Sequence, residues 1–154
     1  MNLVKYTFLI SILLLTAIAC SDDEACLSNQ HSVQAQLLSA WWDTDVDTTL
    51  TEVTVIGLGQ EDSVYNNESV SELFLPLNFH TDTTVFVISA KTLKDTLRLV
   101  AKRELDFISR ECGYIFSFDL DTVIHTKTFI DSVSIIYPKI KYGETTENIQ
   151  LYIY

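Results

Sequence analysis

From residue 32 onward, apolar residues recur at every second position. Val33, Ala35 and Leu37 alternate with Gln34 and Gln36, and Val53 and Val55 alternate with Glu52 and Thr54. Leu73, Leu75 and Leu77 share one face of a further run, and Tyr114, Phe116 and Phe118 alternate with Ile115, Ser117 and Asp119. Val133, Ile135 and Tyr137 repeat the pattern, and Ile149, Leu151 and Ile153 close the chain. Successive strand side chains point to opposite faces, so this period predicts strands with one buried and one wet side. Further strands are predicted over 85–90, 96–101, 105–108 and 122–126, where β-branched and aromatic residues dominate. Asn, Asp and Thr take the place of glycine in the predicted turns at 66–67, 78–83 and 119–121. Pro138 fits a strand end, and 69–73 offers at most one helical turn. Roughly eight to ten short strands at about ten-residue spacing predict an all-β fold, a single antiparallel β-sandwich of immunoglobulin-like architecture.

Ahead of this region the pattern changes. Lys5 is followed by an apolar run from Phe8 to Leu15 and by small residues at Ala17 and Ala19. The run falls short of the about 20 residues that span a bilayer, so 1–19 reads as a signal peptide. Ala17-Ile18-Ala19 is itself a plain cleavage site, and Ala17-Ile18-Ala19-Cys20 resembles a bacterial lipobox; both cut the same bond. The chain has three cysteines. Lipid on Cys20 leaves Cys26 and Cys112 as a pair, and an oxidising compartment makes a disulfide their expected state, with two reduced, packed thiols as the alternative. Residues 20–31 then form a lipidated tether and 32–154 the sandwich. Ser21-Asp22-Asp23-Glu24 reads as a solvated acidic tether and also resembles the export signal of surface lipoproteins in Bacteroidota. The expected location is the outer membrane, on its outward face, reached through lipid on Cys20.

Charge sharpens the exclusions. With 21 acidic and 10 basic side chains the formal net charge is −11, the wrong sign for a nucleic-acid binder. Asp43, Asp45 and Asp47 open like a calcium loop, but Thr48 stands where that loop needs glycine and Thr54 where it needs a bidentate glutamate. An acidic hairpin tip explains the cluster without a metal. Trp41 and Trp42 end the first strand, so one ring is expected in the core and the other nearer solvent, where it forms a possible contact patch. His31, His80 and His125 fall in no metal-ligand spacing, and neither a nucleophile elbow nor a phosphate-binding glycine loop occurs. No enzyme activity, cofactor or metal is expected. Asp62-Ser63-Val64, Asp95-Thr96-Leu97, Asp121-Thr122-Val123 and Asp131-Ser132-Val133 read as strand-opening grammar, and resemble an O-glycosylation acceptor pattern of exported Bacteroidota proteins.

Cys26-Leu27-Ser28-Asn29, Ser71 to Asn78, Glu111-Cys112-Gly113-Tyr114, Leu120 to Thr126, Ile130 to Val133 and Glu147 to Tyr152 together carry a family resemblance. The set is similar to a family of uncharacterised lipoproteins of Bacteroidota, over nearly the whole mature chain. The resemblance implies compartment, length and β fold, and brings no catalytic or binding residues. The expectation is a non-catalytic lipoprotein whose sandwich binds another envelope protein; the alternative is a cell-surface module for a glycan or small ligand.

Overall fold

A computed structural model describes residues 31–154 of the chain. The leader, Cys20, the acidic tether and Cys26 lie outside the described residues. The described residues form ten strands: β1 (Ser32–Ser39), β2 (Leu50–Gly57), β3 (Ser63–Val70), β4 (Glu72–Pro76), β5 (Thr83–Ala90), β6 (Leu93–Ser109), β7 (Gly113–His125), β8 (Ile130–Ile135), β9 (Lys139–Ile140) and β10 (Ile149–Ile153). They build a four-stranded sheet, β4-β1-β10-β8, and a six-stranded sheet, β3-β2-β5-β6-β7-β9. The period-two residues enclose one core. Val33, Ala35, Leu37, Leu73, Leu75 and Leu151 come from the first sheet, and Val53, Val55, Phe86, Ile88, Leu97 and Leu99 from the second. The all-β sandwich is the fold the alternation predicts.

One ladder departs from the antiparallel rule: β1 and β10 run parallel, from Ala35 opposite Ile149 to Ser39 opposite Ile153. The other differences have local causes. The predicted turn at 119–121 is not a turn. Residues 113–125 are one strand, in which Asp119 pairs with Lys102 of β6 and accepts a hydrogen bond from Lys139 Nζ at 2.9 Å. A register shift at Val100 and Ala101 lets the β6–β7 pair bend without breaking. The two strands predicted over 96–101 and 105–108 are therefore also one. Asn66-Asn67 likewise lies inside a strand, β3, where Asn67 takes a φ of 54° beside shifts in the β2–β3 register. Asparagine tolerates that left-handed conformation, so the chain bulges there and does not reverse. Tyr137 falls beyond the end of β8.

Two polar residues hold the sandwich where its strands change partners. Asn148 is 2% exposed and every side-chain group is used: Oδ1 accepts from the Gln34 N–H at 2.9 Å, and Nδ2 donates to the Tyr137 and Lys139 carbonyls at 3.0 and 3.1 Å. It ties β1 to the β8–β9 connection ahead of β10. Asn148→Ala strands those groups and should lower unfolding free energy by about 1–3 kcal/mol, read from the urea midpoint.

Asp95 does the same at the start of β6 and is 1% exposed. Its carboxylate accepts from the N–H groups of Thr128, Phe129 and Ile130 at 2.7 to 3.1 Å and from Thr126 Oγ1 at 2.5 Å. It therefore holds the whole β7–β8 connection. Burial pushes the carboxyl up, but the donors, led by the Phe129 N–H, outweigh it and hold Asp95 below the usual aspartate value.

Candidate functional site

Strand β1 stops at Ser39, two residues before the tryptophans, where Ala40 N–H bonds the Ile153 carbonyl at 2.8 Å. Strand alternation does not reach Trp41 and Trp42, and neither ring enters the core. Trp41 is 72% and Trp42 66% exposed, which corrects the expectation that one would be buried. Trp41 rests edge-on against Tyr154, with centroids 5.3 Å apart. Tyr154 is held in turn by its hydroxyl, which donates to Asp131 Oδ1 at 2.8 Å. That bond raises the phenol and lowers the carboxyl from their ordinary values.

The acidic loop beyond the tryptophans folds back on β1. Ser39 N–H bonds the Val46 carbonyl at 2.8 Å, and Thr48 N–H the Leu37 carbonyl at 3.0 Å. Two of its carboxylates serve the neighbouring sheet: Asp47 accepts from Gln36 Nε2 at 2.7 Å and Asp45 from the Tyr152 hydroxyl at 3.2 Å. Burial first, and then Asp45, raises the Tyr152 phenol. The loop is thus a fixed platform carrying two exposed indoles, with Asp43 beside them. Among the described residues no group of three His, Cys, Asp or Glu side chains is arranged to hold a metal ion.

The opposite end of the sandwich carries a second feature, one that the sequence pattern conceals. β5 covers β6 only as far as Val100, and β9 covers β7 only at Phe118 and Asp119. Residues 104–109 and 113–117 therefore project as a two-stranded ribbon, about 17 Å long at strand rise. Its turn is Arg110-Glu111-Cys112, and Gly113, which closes it opposite Ser109, takes a positive φ of 69° that glycine adopts without strain. Ser109 Oγ accepts from the Glu111 and Cys112 N–H groups at 3.2 and 3.1 Å. At the root, Arg103 donates to the Phe79 carbonyl at 2.6 Å and to Asp82 Oδ1 at 3.1 Å. On one face of the ribbon Ile115 and Ser117 are buried, each 4% exposed. The other continues the core-facing row into solvent: Leu105 opposite Phe116 and Phe107 opposite Tyr114 are 57, 39, 57 and 66% exposed.

Beside this root lies an open groove of about 830 Å³, lined by Leu58, Asp62, Asn78, Phe79 and His80 among others. The three histidines are not brought together. His31 is buried against Phe79 and Phe118, His80 is exposed, and His125 Nε2 donates to the Asp131 carbonyl at 3.2 Å. Of the acceptor-like triplets, Thr122 is exposed, and Ser63, Thr96 and Ser132 are half-buried. Cys112 is half-buried at the ribbon turn.

These features define an all-β sandwich with a rigid aromatic platform at one end and a bare ribbon at the other. Residues 52–153 match a Family of unknown function (DUF6452), and the chain belongs to that family. No curated protein matches the chain, and no solved structure does.

Proposed function

We propose that the chain is a non-catalytic outer-membrane lipoprotein of the Bacteroidota, whose sandwich is an interaction module for another envelope protein. Lipid on Cys20 anchors it, on the outward face of the membrane, and Cys26 pairs with Cys112 in a disulfide. The leader, the lipobox and the serine-acidic run support the anchor and the location. Cysteine parity supports the pair, and so does the place of Cys112 at the tip of a ribbon that, as two strands alone, needs bracing.

The observation that carries the interaction reading is the tryptophan platform. Two indoles 72 and 66% exposed, on a loop fixed by hydrogen bonds to β1 and β10, are large apolar anchors already held in place. A tagged, lipidated protein recovered from its native membrane in mild detergent should bring one envelope protein with it in fixed proportion. Trp41→Ala with Trp42→Ala should weaken that complex by about 2 kcal/mol or more, roughly thirtyfold in affinity. Unchanged recovery of the partner with the double variant sinks the platform as its contact. A second reading rests on the same residues, because aromatic faces beside the Asp43 carboxylate are also sugar-binding chemistry. A preparation that stays free of protein partners favours that glycan reading.

A further inference from the structure

We infer that the bare face of the β6–β7 ribbon is a membrane-contact surface, lying against the bilayer that holds the lipid on Cys20. The inference rests on the lipoprotein reading above and adds to it the orientation of the domain.

The first observation is the row itself. Leu105, Phe107, Tyr114 and Phe116 stand on the side of the ribbon that faces the four-stranded sheet further down, where Phe118 and Leu120 are buried. Past the root Phe116 still meets Phe79, with centroids 6.3 Å apart, and Leu105, Phe107 and Tyr114 are more than half exposed, with no described residue of the four-stranded sheet over them. Phe107 and Tyr114 sit edge to face at the outer end, 5.3 Å between centroids. Phenylalanine and leucine ending in a tyrosine hydroxyl is the side-chain chemistry of a membrane–water interface.

The second observation is where the chain enters the domain. His31, the first described residue, packs its ring against Phe118 at 6.0 Å and Phe79 at 6.3 Å, at the root of the ribbon. Cys20 lies eleven residues before it. That stretch spans at most about 36 Å, enough for the ribbon tip to reach the surface in which the lipid is seated. A Cys26–Cys112 bond shortens the link further, since six residues from Cys20 span at most about 20 Å. The first route allows the ribbon to lie next to the bilayer, and the second puts the ribbon there and not the tryptophan end.

Charge separates the two ends in the same sense. The segment 102–116 carries Lys102, Arg103 and Arg110 against Glu104, Asp106 and Glu111 and is neutral, in a chain of net charge −11. The loop 41–49 carries Asp43, Asp45 and Asp47 and no basic residue. A neutral apolar face can approach an anionic surface that the acidic end is repelled from. Trp41 and Trp42 then point away from the membrane, where a partner can reach them.

The two native tryptophans make the test internally controlled. The full-length lipidated protein is reconstituted at low density into vesicles of phosphatidylethanolamine and phosphatidylcholine, with or without bromine along the phosphatidylcholine acyl chains. Trp41→Phe and Trp42→Phe remove the native signal, and Phe107→Trp, or independently Tyr114→Trp, places a single indole on the ribbon face. Both positions are exposed, so neither substitution disturbs the core. Brominated lipid should remove the larger part of the emission of either ribbon probe and leave that of Trp41 and Trp42 in the parent protein unchanged. Mass spectrometry of the same preparation reads the lipid on Cys20. A lipidated protein whose ribbon probes keep their emission overturns the membrane face and leaves the lipoprotein standing. Blue-shifted emission without bromine quenching means that protein covers the face, and overturns it equally. Absence of the lipid mass overturns the anchor and this orientation together.

Discussion

Asp95→Ala should lower the unfolding free energy by about 3 kcal/mol or more, measured by urea denaturation at neutral pH. The carboxylate is the shared acceptor for three main-chain N–H groups and one hydroxyl of the β7–β8 connection. Hydrogen bonds to a charged acceptor contribute roughly 1.5–3 kcal/mol each, and buried donors left without a partner cost their desolvation. Asparagine is no substitute, because its amide turns donors toward donors. A loss of that size is a large share of the about 5–15 kcal/mol by which a domain is stable. The effect also has a pH signature. The folded carboxyl lies below the ordinary value of 3.8, so the unfolded chain takes up the proton first as pH falls. The stabilisation is complete above that ordinary value and is lost as pH falls through the lower, folded one. The parent should therefore lose stability steeply in acid, and Asp95→Ala should flatten that limb. A variant within about 0.5 kcal/mol of the parent, with the same acid limb, would falsify the assignment.

Phe118→Ala should be comparably severe, at about 3–5 kcal/mol, whereas Tyr114→Ala on the same row should stay within about 0.5 kcal/mol. Phe118 is 2% exposed and packs against Phe79 at 5.7 Å and His31 at 6.0 Å; Tyr114 is 66% exposed. The contrast locates the edge of the core along a single strand. Equal losses at the two positions, by calorimetry, would mean that something covers the ribbon face in the folded monomer.

That contrast also marks where sequence pattern loses its grip. Tyr114, Phe116 and Phe118 form one alternating run, and the period correctly puts them on one face. Period says nothing about how far the opposing sheet extends, so it could not distinguish the buried Phe118 from the bare Tyr114. Strand existence was legible wherever one side is apolar, as at Val53 and Val55 or Leu73 and Leu75. β3 went unseen because Asn66, Asn67 and Glu68 leave an edge strand almost no apolar side. The predicted break at Asp119 failed for a different reason: Lys139 satisfies that carboxylate from the neighbouring strand, which removes its local preference for a turn. Trp41 and Trp42 were singled out from sequence, but their exposure depends on β1 stopping at Ser39.

The parallel ladder between β1 and β10 has a consequence for how the protein is made. The first strand pairs early with β4 but waits for its other neighbour, which lies 114 residues further along, as the Gln36–Gln150 and Gln34–Asn148 contacts show. Pairings so distant in sequence close late and slowly. A chain synthesised amino end first thus emerges without the means to complete its sandwich. β10 is the strand that locks the first, so the domain stays pliable while it is being made and sets only after β10 has arrived.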